Sequence, residues 1–116
     1  MQSAKSIRIE RYESNILEHL CNFLNKEIYN KVLKKSSFTY CRLSRDFSIL
    51  KIYVDSINRE ELDKIVLNLN KFKGTFRTEI AKNFDFRKAP TIEFLRDTSI
   101  DRADEIEDIL SELKGS

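Results

Sequence analysis

Glycine and proline are scarce in this chain, which has 116 residues but only two Gly and one Pro. Both residue types interrupt regular structure, so their scarcity leaves little room for long loops. Most residues are therefore expected in helices and strands. A chain of this length builds one domain around one core, and we expect that domain to span residues 1–116.

Long hydrophobic runs are also missing, since no segment approaches the roughly 20 apolar residues that cross a bilayer. Residues 1–8 lack the apolar stretch of a signal peptide. These two absences predict a cytoplasmic protein with no membrane partner.

Histidine and cysteine are too few to build a metal site. The single His19 and the two cysteines, Cys21 and Cys41, do not have metal-ligand spacing. The thiols are expected to be reduced and buried, and His19 to be a helix-boundary residue rather than a general base. No nucleophile elbow, phosphate-binding loop or dinucleotide fingerprint occurs. The sequence therefore predicts neither an enzyme nor a bound cofactor or metal.

Charge is distributed unevenly along the chain. Residues 1–96 carry 19 Lys and Arg against 12 Asp and Glu, whereas residues 97–116 carry 2 against 7. Within 64–88 the count is 7 basic against 2 acidic residues. Since no strongly apolar face lies beside these cations, a nucleic-acid partner fits better than a membrane surface.

Periodicity predicts the first half of the fold. Apolar residues at three- and four-residue steps predict a helix from about residue 4 to 30, with Glu13 and other charged residues mostly on its outer face. Strands are predicted over 38–44 and 48–54, joined by a short connection at 45–47. In the second strand Leu50, Ile52 and Val54 are expected to face the core.

The other face of that strand is both basic and aromatic. Ile49, Lys51 and Tyr53 alternate with the core positions. Such a face could stack RNA bases, although an ordinary half-exposed strand shows the same alternation.

Asn58 predicts the start of the next helix. It is a good N-cap, Glu61 can reach back to it, and Ile57 and Leu62 have the spacing of a hydrophobic staple. The helix is expected to reach a break at 72–74 and a shorter helix to follow to about residue 84. A strand over 91–95 and an acidic helix from Asp101 to about Leu113 complete an α+β sandwich of two layers.

The break itself is the first candidate site. Gly74 accepts backbone angles that other residues resist, so it is expected to end one helix and let another begin. A helix start offers free N–H groups and partial positive charge, which suit phosphate. Lys71, Lys73 and Arg77 surround it. A surface turn whose lysines are simply solvated explains the same residues.

Four segments together resemble a known family. Residues 43–54 read LSRDFSILKIYV, similar to the V-S-x-D-L-S-x-A-x-V-Y-V block of the ribosome-binding factor A (RbfA) proteins, and residues 87–94 read RKAPTIEF, similar to their R-x-x-P-x-L-x-F block. Residues 97–102 and 106–110, DTSIDR and IEDIL, resemble their D-x-S-I ending with I-x-x-L-L, and residues 8–11, RIER, open the first helix. The matches cover nearly the whole chain in the family's order.

This resemblance implies a type II KH-like αββααβ fold with an interhelical kink and a C-terminal helix. It also implies a non-catalytic assembly factor that binds the 30S subunit, assists late maturation of 16S rRNA at its 5′ end and is linked to cold adaptation. The family's A-x-G kink falls on Phe72-Lys73-Gly74. The glycine matches, whereas the phenylalanine in place of alanine implies a changed kink or local repacking.

We therefore predict a monomer that binds 16S rRNA through phosphate contacts. The acidic last helix is expected to face away from the RNA, where it could contact a ribosomal protein. The first-tier contacts are Lys71, Lys73, Arg77, Lys82 and the N–H groups after Gly74; the second tier is Arg45, Arg87 and Lys88, with Arg8 and Arg11 extending the footprint.

Two other functions fit the same residues. A generic KH-type RNA-binding protein would act on other RNAs with no preference for ribosomal particles. A protein-interaction module would use the acidic helix or the sheet face, and its binding would respond little to salt.

Overall fold

A computed structural model describes residues 7–28, 30–31 and 33–98 of the chain. In chain order they form α1 (Ile7–Glu27), β1 (Ser36–Leu43), β2 (Ile49–Ser56), α2 (Leu62–Lys71), α3 (Lys73–Asn83) and β3 (Thr91–Arg96). The predicted α+β class and αββααβ order are confirmed. The predicted helix over 101–113 lies outside the described residues.

The helix α1 carries the predicted apolar stripe, with Ile16, Leu20 and Leu24 buried. The placement of Glu13 on the outer face was wrong, because this side chain is 8% exposed. Its Oε2 accepts a hydrogen bond of 2.6 Å from the backbone N–H of Leu43 at the end of β1. A carboxylate inside the stripe is thus kept there by a strand donor that is distant in sequence.

The strands β1 and β2 form an antiparallel hairpin with an irregularity between Phe38 and Tyr40. Leu50, Ile52 and Val54 are fully buried, as the alternation predicts. The connection runs from residue 44 to 48 and is closed by a 2.9 Å bond from Ser44 N–H to the Ile49 carbonyl.

The start of α2 differs from the predicted cap. Asn58 does cap, but it accepts from the Glu60 N–H at 3.1 Å and opens a 3-10 turn over Arg59–Glu61 before α2 begins. The Glu61 carboxylate lies 3.7 Å from Lys35 Nζ. The predicted staple was wrong, because Ile57 is fully exposed and cannot pack on the buried Leu62.

The helix break lies at Phe72 rather than at Gly74. Phe72 has φ −100° and ψ 8°, and it forms both the C-cap of α2 and the N-cap of α3. Gly74 lies inside the first turn of α3 with a negative φ. The expectation that Gly74 supplies unusual backbone angles was therefore wrong. Any L-residue adopts this helical conformation.

The side chain of Asn70 fixes where α2 ends. Its Nδ2 donates to the Phe94 carbonyl at 3.1 Å, and its Oδ1 accepts from the Phe94 N–H at 3.0 Å. Both bonds satisfy backbone groups on the outer edge of β3. The last turn of α2 is thereby attached to the sheet, and the chain turns two residues later.

The strand β3 pairs in parallel with β2, giving a three-stranded sheet of order β1-β2-β3. The helix α1 packs mainly on β1, and α2 and α3 pack on β3. The buried Phe76 of α3 makes ring contacts with Phe23, Phe38 and Phe94, at 5.1–5.9 Å between centroids. One aromatic cluster therefore joins the helical layer to both outer strands.

Candidate nucleic-acid interface

Lys71 and Lys73 lie on either side of the helix break, and both are exposed. Phe72 between them is 37% exposed, so its ring does not fill the core. The Phe72 carbonyl accepts from the N–H groups of Thr75 and Phe76, at 2.9 and 3.3 Å. The break thus presents two cations and an aromatic ring at the positive end of α3.

Arg77 makes a contact inside the protein that the sequence did not predict. Its Nε and Nη2 donate to the Ala89 carbonyl at 3.3 and 3.0 Å, and the residue is half-buried. Its guanidinium attaches the α3–β3 connection to α3. Because Arg87 and Lys88 belong to that connection, Arg77 positions two of the second-tier cations.

Lys82 is not brought together with Lys73. The two residues are nine positions apart on α3, about two and a half turns, so they lie on opposite faces. Lys82 lines a groove with Phe23 and Glu27 of α1. Arg77, four positions from Lys73, shares its face instead.

The second-tier cations lie at the end of the sheet where β2 and β3 begin. Arg45 is exposed in the β1–β2 connection. Arg87 and Lys88 are exposed, and they line a cleft of about 400 Å³ together with Arg8 of α1. Three segments that are far apart in sequence therefore bring cations to one end of the molecule.

The outward sheet face carries a pair of stacked rings. Tyr40 and Tyr53 lie 4.2 Å apart between centroids with an interplanar angle of 12°. Arg42, Lys51 and the 44% exposed Ile49 share this face. The predicted basic and aromatic face is thus present, although the two rings already stack on each other.

His19 and the two cysteines contact other residues inside the protein. His19 Nε2 lies 2.5 Å from Glu79 Oε2, and its ring meets Phe84 edge-on. Cys41 is buried and Cys21 partly buried. Burial raises the pKa of the Cys21 thiol, and a backbone hydrogen bond with Phe38 opposes this in part. Within the described ranges, no group of His, Cys, Asp and Glu could hold a metal ion.

Sequence reasoning missed the ring cluster at the end of the sheet. Tyr12 lies 5.0 Å from Phe86 and 5.6 Å from Phe47 between centroids. These residues come from α1, the β1–β2 connection and the α3–β3 connection, so no periodicity links them. The excess of aromatic and basic residues in the two connections was the available signal.

Taken together, the structure defines a small α+β protein with one three-stranded sheet, helices packed on it and exposed cations at a helix break. In the part of the chain that the structure describes, no helix has the length and apolarity to cross a membrane.

The ribosome-binding factor A family matches residues 8–110. The ribosome-binding factor A of Malacoplasma penetrans is 40% identical over 115 residues, which cover 99% of either chain. The chain therefore belongs to the ribosome-binding factor A family.

The structures of two similar proteins agree on the fold. A solution structure from Thermotoga maritima has a TM-score of 0.71 and 31% identity, and the match covers 84% of this chain and 94% of that one. A homology model of Thermus thermophilus RbfA, fitted into a cryo-EM map of a 30S–RbfA complex, has a TM-score of 0.60 and 22% identity over 74% and 91% of the two chains.

Proposed function

We propose that this chain is a non-catalytic assembly factor that binds the 30S ribosomal subunit and assists late maturation of 16S rRNA, including its 5′ end, with a role in cold adaptation. It acts as a cytoplasmic monomer with a single domain over residues 1–116, of type II KH-like character. While it is bound to the subunit, the chain also contacts a ribosomal protein. Membership of the ribosome-binding factor A family supports this proposal.

The observation that carries the RNA contact is the exposed pair Lys71, in the last turn of α2, and Lys73, in the first turn of α3. In the described part of the chain neither side chain has an ion-pair partner. By contrast, Arg59 lies 3.0 Å from Asp55. Lys73 is suited to phosphate, because the dipole and free N–H groups at the start of α3 add to its charge, and Lys71 supplies a second exposed cation beside it.

The other cations extend this surface. Arg87, Lys88 and Arg45 supply further phosphate contacts at the sheet end, and Lys82 contacts RNA only where the strand passes over the groove between α1 and α3. Arg77 holds Ala89 and acts mainly by positioning its neighbours. Gly74, with a helical backbone, lets RNA approach α3 closely because it has no side chain.

The direct test is co-sedimentation of the pure protein with free 30S subunits, 50S subunits and 70S ribosomes across a salt series. We expect selective binding to 30S with a log–log salt slope of about −3.5 to −4.5, since each of five phosphate contacts contributes roughly 0.7–0.9. Equal binding to all three particles would leave a generic RNA-binding module. Binding that ignores salt would indicate a protein partner instead.

Charge reversal locates the surface. Lys71→Glu with Lys73→Glu is expected to weaken 30S binding at least about tenfold, because charged contacts of about 1.5 kcal/mol or more are lost. The matched control reverses Arg42 and Lys51, two exposed cations on the outward sheet face. If the control pair weakened binding and the Lys71 and Lys73 pair did not, the RNA would lie on the sheet.

A further inference from the structure

The cleft of about 400 Å³ at the start of β2 and β3 is lined by three aromatic residues, three cations and two carboxylates. Its walls are Tyr12, Phe47 and Phe86, each half-buried, so part of every ring remains open to solvent. The volume falls within the range of about 300–1,000 Å³ typical of ligand pockets.

The backbone of Phe47 indicates that its ring is held at this place. Phe47 has φ 60°, a left-handed conformation that a bulky residue rarely adopts and that costs about 1–3 kcal/mol. Glycine would adopt this turn without that cost. The phenylalanine is instead stabilised there by its ring contacts with Tyr12 and Phe86, at 5.6 and 6.1 Å.

A flat cation already lies over these rings. The guanidinium carbon of Arg8 is 5.4 Å from the Phe47 centroid and 5.8 Å from that of Tyr12. Arginine in this position is not part of a core, since Arg8 is exposed. Guanidinium planes and aromatic rings are the two surfaces on which unpaired RNA bases stack.

The charges that line the cleft suit a base together with its phosphates. Asp46 and Asp85 line it, and their carboxylates would repel phosphate but can accept hydrogen bonds from the amino groups of bases. The cations Arg87 and Lys88 are exposed in the segment that borders the cleft, where the flanking phosphates of a strand would pass. The same cleft therefore offers hydrogen-bond acceptors to a base and cations to its phosphates.

We propose that this cleft binds one unpaired nucleotide of RNA, whose base stacks on the Phe86 ring beside Tyr12 and Phe47 and whose phosphates contact Arg87 and Lys88. This inference rests on the proposed function for its RNA source. It adds a base-stacking subsite to the phosphate contacts at the helix break.

The test compares Phe86→Leu with Phe86→Tyr in equilibrium binding to free 30S subunits. The leucine variant keeps apolar volume but removes the ring, and we expect affinity to fall about 5- to 150-fold, because stacking of one base contributes about 1–3 kcal/mol. The salt slope stays unchanged, since no cation is lost. The tyrosine variant keeps the ring and is expected to bind like the wild type.

A second measurement uses a hexaribonucleotide that carries 2-aminopurine, whose fluorescence is quenched on stacking. The wild type is expected to quench it and Phe86→Leu to lose the quench. Should the leucine variant fail to fold, Arg8→Lys replaces it, because this exposed side chain supports no core packing and lysine keeps the charge while removing the guanidinium plane. The loss of a plane on which a base can stack is expected to weaken binding at least about twofold at an unchanged salt slope.

The two proposals fail in distinguishable ways. If the wild type binds 30S and the ring-removing variant binds equally well, the cleft proposal is overturned while the proposed function stands. If the wild type does not bind 30S, the proposed function fails, and the fluorescence of the hexaribonucleotide then tests the cleft proposal alone. Quenching by the wild type that is lost in the variant then supports the cleft, and no quenching overturns it.

Discussion

The carboxylate of Glu13 completes the hydrogen bonding of β1 from inside the core. Its Oε2 accepts from the Leu43 N–H at 2.6 Å, and the Cys41 thiol donates to the Glu13 carbonyl at 3.2 Å. Two successive inward positions of β1 are thus bonded to one residue of α1. A polar side chain here sets the position of the helix along the strand, which apolar packing alone does not define.

Glu13→Ala is expected to lower the free energy of unfolding by about 1–3 kcal/mol, because it leaves the buried Leu43 N–H without an acceptor. Urea denaturation measures the change. Glu13→Gln is the control, since its amide oxygen can still accept. If the glutamine and alanine variants lost equal stability, the lost interaction would be the charge rather than this hydrogen bond.

A second residue-scale prediction concerns Asp46 in the β1–β2 connection. Hydrogen bonds from the Ser48 hydroxyl, the Ser44 hydroxyl and the Ser48 N–H hold the pKa of the Asp46 carboxyl below its ordinary value of 3.8. The ionised form therefore stabilises the fold above about pH 3.8. That contribution is lost as the pH falls through the lower pKa of the folded state.

Asp46→Asn is accordingly expected to be less stable than the wild type at neutral pH, with the difference shrinking below pH 3.8. Chemical denaturation of both proteins at a series of pH values between neutral and acid measures this stability difference. Ser48→Ala should move the Asp46 pKa back toward its ordinary value. A stability difference that is constant over this whole pH series would mean that the carboxylate does not stabilise the turn.

At the scale of the helices, the break does not depend on its glycine. A Cβ built on Gly74 meets no atom within 4 Å, and the residue has a negative φ. Asn70 attaches the end of α2 to the backbone of Phe94, so the turn at Phe72 is set by contacts to β3.

Gly74→Ala is therefore expected to stabilise the protein by about 0.4–1 kcal/mol, because alanine loses less backbone entropy on folding. For a domain of this size the melting temperature should rise by about 2–8 °C. Differential scanning calorimetry measures it. A lower melting temperature would mean that the helix break does need glycine at this position. A stabilised variant with weaker 30S binding would place phosphate against this backbone.

Local patterns predicted the elements well, and contacts between distant segments account for what they missed. Alternation in β2 and the spacing of Ile16, Leu20 and Leu24 identify the buried faces because each depends only on the element's own period. The burial of Glu13 depends on a strand donor 30 positions away. The sequence predicted a cation at Arg77 beside the break, but not its hydrogen bond to the Ala89 carbonyl, which forms only when β3 has joined the sheet.

At the scale of the whole molecule, Phe76 joins the helical layer to the sheet. It is fully buried, and its ring meets others from α1, β1 and β3. A single core of this kind unfolds as one cooperative unit.

Phe76→Ala is expected to cost about 3–5 kcal/mol, a large part of the 5–15 kcal/mol that such domains possess. Far-ultraviolet circular dichroism and tyrosine fluorescence should show coincident transitions at lower denaturant concentration. Transitions that separate between the two probes would mean that the hairpin and the helices unfold independently. Leu67→Ala, at a 62% exposed position of α2, is the control and should change little.

The bond from Arg77 to Ala89 has a consequence for how the protein would recognise a particle. It joins the helix that begins at the break to the connection that borders the cleft, so the two proposed RNA contacts are presented at a fixed separation. A rigid bivalent ligand gains avidity only where both of its targets lie at the matching distance. If both contacts form, the protein binds tightly only to a subunit in which two RNA strands have the matching spacing. A subunit in which these strands move apart or together during maturation loses that avidity, although its RNA sequence is unchanged.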